Sequence, residues 1–341
     1  MPLEARVDRP VTETEAVELA RELYGIEVRA KSLPGEYDDN FHLTPSSGSA
    51  SSRGDSFVLK VMHPAREASL IDLQCRALQH LAQRAAQLTL PRVCPTRAGE
   101  NFTAVTVADG SSRLVWLLTY IHGTVLAHAR PHSPELLRSL GQFLGEMDVA
   151  LADFAHPAAH RELKWDLARA GAIRQHVHHI ADGSRRALVE NFLALYEGEV
   201  VPELAELRRS VVYGDANDYN VLVGPALPLP RRVVTVIDFG DMHHSFTVSE
   251  AAVAAAYAIL GKEEPLRAAA EVVAGYHRAF PLMPKELAIL YTLIGTRLAV
   301  SVTNSAQRAT VKPDDPYVTV SEAPAWDALA RWAEIHPRFA H

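Results

Sequence analysis

Apolar and polar positions alternate along "DSFVLKVM" at residues 55–62, where Phe57, Leu59 and Val61 share one face and Val58, Lys60 and Met62 the other. That period of two predicts a strand with one buried face. "FTAVTVA" (102–108), the turn "DGSSR" (109–113) and "LVWLLTYI" (114–121) read as a hairpin. Helical spacing covers 65–88, with Leu70, Leu73, Ala77 and Leu81 inward. It also covers 12–25, where Thr12 caps, Glu15 stands three residues on and Gly25 ends the run. After His122-Gly123 the texture changes. Helices are predicted over 134–151, opened by Ser133 and Pro134, and over 184–197, 249–260, 264–279 and 285–308. The strong strand signals in this half are 211–213, 220–223 and 233–238. The expectation is an α+β fold in two lobes. A small antiparallel-sheet lobe spans 1–120, a larger, mostly helical lobe spans 124–341, and "TYIHG" (119–123) is the hinge. "TPSSGSASSRGDS" (44–56) is low in complexity and reads as a hairpin tip.

Composition narrows the function. The chain has 341 residues, enough for two domains, and 48% hydrophobic residues, enough for substantial cores. The longest apolar run, "AAVAAAYAIL" at 251–260, is about half of what a membrane span needs. The opening "MPLEARVDRPVTETEA" is too charged for a signal peptide. Cys75 and Cys94 show no pairing pattern, which suits reduced thiols in a cytoplasm. A net charge of −7 argues against a nucleic-acid partner, which would want a basic patch. Neither a membrane nor a nucleic acid is therefore expected as a partner, and the oligomeric state is left open.

The chemistry concentrates at "VVYGDANDYNVLV" (211–223), where Asp215, Asn217, Asp218 and Asn220 stand between two β-branched runs. A plain hairpin turn uses one or two such residues. Asp215 precedes Asn220 by five positions, and "VIDFGD" follows with Asp238 at the end of an apolar strand. That ordered set points to phosphoryl transfer. Magnesium is a hard cation that takes oxygen ligands, which Asn220 and Asp238 can supply from adjacent strand ends. Asp215 can accept the proton of an acceptor hydroxyl. Lys60 can face the donor phosphates, with Asp72 on the following helix holding it in preference to Glu67. Each residue alone has a bland reading as a turn, strand-exit or solvated residue; the ordered set is far more specific. Only residues 241–248 separate "DFG" from Ser249, read as the next N-cap, so a peptide-docking segment does not fit and the acceptor should be a small molecule. Arg297, Ser301, Asn304 and Arg308 form one stripe on the helix 285–308. That stripe is either a solvated face or the lining of an acceptor pocket in which Arg297 pairs a carboxylate. Asp166, Asp241 and Glu250 are candidates for an ammonium group or for bracing loops. "QHVHHI" lacks a carboxylate or cysteine at ligand spacing and reads as a surface face rather than a metal site.

These segments resemble the aminoglycoside phosphotransferase and choline kinase superfamily, closest to its hydroxylysine kinase branch. "LPGEYDDNFHL" (33–43), "VLKV" (58–61), "LLTYIHG" (117–123), "KWDL" (164–167), "GDANDYN" (214–220) and "IDFGDM" (237–242) carry the likeness in order, from about residue 12 to 335. The resemblance implies a protein-kinase-like fold, Asp215 as catalytic residue, Asn220 and Asp238 as magnesium ligands, and Lys60 on the phosphates. It also implies that backbone at Thr119, Tyr120 and Ile121 takes the purine of ATP or GTP. A hydroxylated amino acid or amino alcohol, 5-hydroxylysine above all, is the implied acceptor. Homoserine, choline, ethanolamine and aminoglycosides are the alternatives, and a nucleotide-binding pseudokinase is the reading from another class. Two departures stand out. Tyr213 occupies a position where the superfamily usually has histidine, and Asp72 stands where glutamate is usual.

Overall fold

The computed structural model describes residues 7–46, 56–311 and 322–340. Most of the low-complexity segment, residues 47–55, therefore lies outside the described residues. The chain divides into two compact units, Met1–His122 and Gly123–His341.

In the first unit, α1 (Glu13–Leu19) opens on a reciprocal cap. Thr12 Oγ1 accepts the Glu15 N–H, and Glu15 Oε2 accepts the Thr12 N–H at 2.7 Å. The helix widens over Ala20–Tyr24 and stops at Gly25, whose φ of 69° terminates it. Strands β1 (Val28–Leu33), β2 (Asp39–Pro45) and β3 (Phe57–Val61) run antiparallel, followed by α2 (Ala68–Arg84). Then come β4 (Val93–Cys94), β5 (Thr103–Thr106) and β6 (Ser112–Thr119). The sheet order is β1-β2-β3-β6-β4, with β5 also on β6. Alternation puts Phe41, Leu43, Leu59, Val61, Val115 and Leu117 on one face, where Ala16 and Ala20 join them in the core. Lys60 lies on the other face, paired with Asn40 on β2 and Trp116 on β6. At the sheet's inner corner Arg113, 0% exposed, donates to Asp39 Oδ2 at 3.1 Å and to Val61 O at 3.2 Å. The expected helix 65–88 is shorter at both ends, because Glu67 is extended at the N-cap and Ala85 leaves helical geometry.

The second unit begins with β7 (Thr124–Val125) and α3 (Pro134–Leu151), capped by Ser133 as its sequence requires. Tight 3-10 turns cover Leu167–His179, so "QHVHHI" is not a regular helix; Val177 and Ile180 face inward. Next come α4 (Gly183–Leu195), β8 (Arg209–Val212), β9 (Val221–Val223), β10 (Val233–Val236) and β11 (His243–Phe246). The unit closes with α5 (Val248–Ala258), α6 (Pro265–Ala279), α7 (Pro284–Ala288), α8 (Leu290–Val311), α9 (Glu322–Ala333) and α10 (Pro337–Ala340). Strands β10, β9 and β7 form one small sheet, and β11 pairs with β8 in another.

Three expectations need correction. The helix over 285–308 is two helices, because Ile289 sits at φ −99°, ψ −3° and breaks the ladder between α7 and α8. Residues 243–246 are a strand rather than plain connection, and the following helix is preceded by Thr247, with Ser249 buried inside it. The strand at 211–213 starts earlier, at Arg209, because β11 supplies its partner.

Helix α5 is alanine-rich and almost wholly buried. Helices α3 and α6 approach backbone to backbone: a Cβ on Gly275 would meet Arg138 O at 2.0 Å. No helix among the described residues is long and apolar enough to cross a membrane.

Candidate active site

The loop between β8 and β9 is built by its own polar residues. Asn217 Oδ1 accepts the N–H groups of Tyr219 at 2.9 Å and Asn220 at 3.1 Å, closing the turn. Asn217 Nδ2 donates to Asp215 Oδ1 at 3.0 Å, and Asn220 Nδ2 donates to Asp215 Oδ2 at 2.7 Å. So the same side chains close the loop and aim the carboxylate. Asn220 commits its Nδ2 to Asp215, so the oxygen of the same amide is the atom with which it could ligate a hard cation.

Three contacts fix this loop from behind. Gly214 has φ +77°, and a Cβ there would meet His243 Cε1 at 2.8 Å, so the position needs glycine. The Gly214 N–H donates to Glu250 Oε2 at 2.8 Å. Tyr213, fully buried, donates its hydroxyl to Ile237 O and packs edge-on against Phe239 at 5.1 Å. Tyr213 thereby ties Asp215's loop to the residue preceding Asp238. A further backbone bond, Ile237 N–H to Asn220 O at 2.9 Å, brings Asn220 and Asp238 to the same end of the β9–β10 pair.

Asp238 is the one described non-glycine residue with positive φ, 60°, and its Oδ1 accepts the Gly240 N–H at 3.3 Å. A residue with a Cβ held in the left-handed region is strained backbone at a candidate site. Asp241 follows, with Arg161 Nη2 3.8 Å from its Oδ1; Arg161 also donates to Gly240 O. Desolvation and the Asp241 charge push the Asp215 carboxyl up to about 8, against the opposing pull of Arg297 and Asn217. Burial raises Asp241 as well, with Arg161 opposing and Asp238 adding to the rise. Carboxylates that repel one another beside an amide oxygen suit a divalent cation. Among the described residues no group of three or more His, Cys, Asp or Glu side chains could hold a metal. A pair of protein oxygens suits magnesium, which keeps waters and takes substrate phosphates as its other ligands.

The remaining expected site residues fall in distinct places. Asp166 is buried: its Oδ1 accepts Ser245 Oγ–H at 2.6 Å and the Ala168 N–H at 2.9 Å, with His243 Nε2 at 3.3 Å. Burial works to raise its carboxyl, yet the bonds from His243 and Ser245 outweigh it and hold it below the ordinary range. Asp166 and Glu250 both act as braces in this geometry. Arg297 is 2% exposed, so it does not lie on a solvated face. Its Nη1 donates to Trp165 O at 2.9 Å and its Nη2 lies 3.6 Å from Asp215 Oδ1. Ser301 is half-buried, and Asn304 is buried with its Nδ2 lacking a partner among the described residues. Arg308 is half-buried further along α8.

In the first unit, Lys60 Nζ lies 5.8 Å from the centre of the Trp116 ring. Asp72 Oδ2 accepts Arg76 Nε–H at 2.8 Å. The Thr119 N–H goes to Arg92 O at 2.9 Å and the Tyr120 N–H to Ser56 O at 2.8 Å, so those amides are committed within the unit. Tyr120 stacks on His42, ring centres 3.9 Å apart, and His122 meets Tyr120 edge-on at 5.0 Å. Sequence reasoning missed this ring cluster. It also missed His243 and Arg161. The only local signal was their clustering with aromatic and polar residues next to recognised motifs.

The profile of the phosphotransferase enzyme family matches residues 29–288, more than half of the chain. The chain belongs to this family. Among curated relatives, hydroxylysine kinase from Bos taurus is 28% identical over 343 residues, covering 95% of this chain and 90% of the relative. Hydroxylysine kinase from Danio rerio is also 28% identical, covering 95% and 92%. Among solved structures, amicoumacin kinase in complex with AMP-PNP, Ca2+ and Ami has a TM-score of 0.69 at 14% identity, covering 96% of this chain and 95% of that one. The microcompartment-associated aminopropanol kinase has a TM-score of 0.67 at 19% identity, covering 94% of each. The phosphotransferase thus has the α+β, kinase-like fold expected from its sequence, and it is a kinase.

Proposed function

We propose that this kinase transfers the γ-phosphoryl group of ATP or GTP to a hydroxyl of an amino acid or amino alcohol, with a 5-hydroxylysine-like acceptor favoured. The observation that carries the reading is Asp215, aimed by Asn217 and Asn220, with Asn220 and Asp238 at the same strand end. The relatives named hydroxylysine kinase, matched over most of their length, support the acceptor class.

In this reading the first unit takes the donor nucleotide. Lys60 serves its phosphates, Asp72 supports Lys60, and backbone at Thr119, Tyr120 and Ile121 serves the purine. The Ile121 N–H makes no backbone–backbone hydrogen bond among the described residues, unlike its two neighbours. Asn220 and Asp238 would hold magnesium. Bound there, it would neutralise charge on the donor phosphates. Asp215 orients the acceptor hydroxyl and takes its proton as the oxygen attacks the γ-phosphorus and the bond to the β–γ bridging oxygen breaks. The proton then passes to solvent. Asp241, with its side chain 36% exposed, is assigned to the acceptor's ammonium group, and Ser301 and Asn304 to its polar groups. The reading places the enzyme in the cytoplasm, in keeping with its two free cysteines.

The test is a transfer assay with hydroxylysine, homoserine, choline, ethanolamine and an aminoglycoside, each with ATP and GTP, with and without magnesium. The expected result is magnesium-dependent transfer with highest kcat/KM for hydroxylysine. Absence of transfer to every alcohol, with nucleotide still bound, favours the pseudokinase instead.

A further inference from the structure

Between Tyr213 and Asn220 the loop carries two acids and no cation, and Asp238 and Asp241 add negative charge nearby. The cation that meets Asp215 comes from a different element, α8. Arg297 Nη2 lies 3.6 Å from Asp215 Oδ1, and Nη1 donates to Trp165 O at 2.9 Å. Its guanidinium carbon sits 5.3 Å from the Trp165 ring centre and 5.5 Å from that of Tyr257, so aromatic faces clamp it. Asp166, next to Trp165, accepts Ser245 Oγ–H at 2.6 Å and lies 3.3 Å from His243 Nε2, and His243 Nδ1 donates to Asp241 O at 2.8 Å.

Resting on the kinase reading above, we infer that Arg297 is a positioning residue for Asp215 and not the anchor of an acceptor carboxylate. A bidentate anchor needs two guanidinium nitrogens on one edge free for the ligand. Here Nη1 donates to Trp165 O and Nη2 ion-pairs Asp215 at 3.6 Å, so no edge presents two nitrogens to a ligand without giving up a protein contact, although Nε is buried without a hydrogen-bond partner of its own. The consequence concerns which oxygen does the chemistry. A carboxylate offers two acceptor sites on each oxygen. On Oδ1, Asn217 fills one and Arg297 crowds the other. On Oδ2, Asn220 fills one and the second remains. Each oxygen accepts one amide, and the guanidinium beside Oδ1 draws negative charge to that oxygen and crowds it. The hydroxyl proton is assigned to Oδ2, with Arg297 setting that choice through its ion pair with Oδ1.

Two measurements on the full chain test this. Steady-state kinetics of Arg297→Met and Arg297→Lys are run with hydroxylysine and with an amino alcohol lacking the carboxylate. The expected result is a fall in kcat of ten-fold or more for both acceptors, with acceptor and nucleotide KM changed less than about three-fold. Lysine should not restore turnover, since an ammonium cannot span Trp165 O and Asp215 at once between two rings. A ten-fold rise in KM confined to the carboxylated acceptor, with kcat kept, overturns the inference in favour of an anchor; an unchanged kcat overturns it too. The second measurement needs no turnover. In a thermal-unfolding cycle of Asp215→Asn, Arg297→Met and the double variant, the double variant should lose less than the sum of the singles. Additive losses show that the pair is not coupled. Should the wild type transfer phosphate to no alcohol while the cycle is non-additive, the kinase reading fails and the Asp215–Arg297 pairing stands.

Discussion

The backbone N–H of Gly214 points into the helical core, where Glu250 Oε2 accepts it at 2.8 Å. Glu250 is 0% exposed and joins α5, the most buried helix, to the residue before Asp215. Its carboxyl is pushed up to about 7 by burial, against the opposing bond from Gly214. Asp148 lies in the same buried region, raised by burial and by the Glu250 charge, and accepts Tyr276 O–H. Replacing Glu250 by leucine leaves the Gly214 amide without a partner, at a cost of about 1–3 kcal/mol. We expect a lowered Tm and a lowered kcat together. If Glu250→Leu melts at the wild-type temperature, the bond does not support the loop.

Asp215→Asn should leave nucleotide affinity unchanged and lower kcat by orders of magnitude. An amide has the same shape but cannot take the proton. Retention of more than a tenth of wild-type kcat, about 1.4 kcal/mol of barrier at most, would remove Asp215 from the chemistry. Asp238→Ala should abolish the magnesium dependence of nucleotide binding, read by titration with and without the metal; an unchanged dependence would exclude Asp238 as a ligand.

His132 gives the fold a pH dependence of known sign. Burial, then the nearby Lys262 charge, lowers its imidazole to about 4, and the neutral ring meets Lys262 Nζ at 2.8 Å through Nδ1. Between about 4 and the ordinary 6.5 the unfolded chain binds a proton that the folded one does not. This contribution to stability is full above 6.5 and is lost as pH falls toward 4. Plots of Tm against pH for wild type and His132→Gln should diverge in slope within that window. Parallel curves would show that His132 is accessible in the folded protein.

Gly275→Ala tests the contact of α3 with α6. Helix propensity alone favours alanine by about 1 kcal/mol. The added Cβ would stand 2.0 Å from Arg138 O, so the helices must separate. Overpacking of this kind costs roughly 1–3 kcal/mol, and with backbone as the obstacle we expect a net fall in Tm. A rise in Tm would mean that the helices yield freely.

Much of the molecule was legible in local pattern. The cap at Thr12 and Glu15, the alternation along β3 and the start of α3 at Ser133-Pro134 depend on neighbours three or four residues away. So does the loop at 214–220, because Asn217 and Asn220 act on Asp215 within their own turn. Those are short-range effects, and a sequence states them directly. Strand β11 was not legible, since "HHSF" becomes a strand only because β8 pairs with it. The break at Ile289 gave no signal either, in a stretch whose apolar spacing continues without interruption. The role of Arg297 shows the limit most clearly. Its position on a helix face was readable, but two outcomes fitted that face. The spacing fitted a solvated face or the lining of an acceptor pocket, and neither reading names the protein carboxylate that a distant loop brings to the guanidinium. Folding delivered Asp215, with Trp165 and Tyr257 to hold the ring of contacts. The sequence determined which groups were available for chemistry; the tertiary structure decided which of them meet, because long-range pairing is set by packing rather than by spacing along the chain.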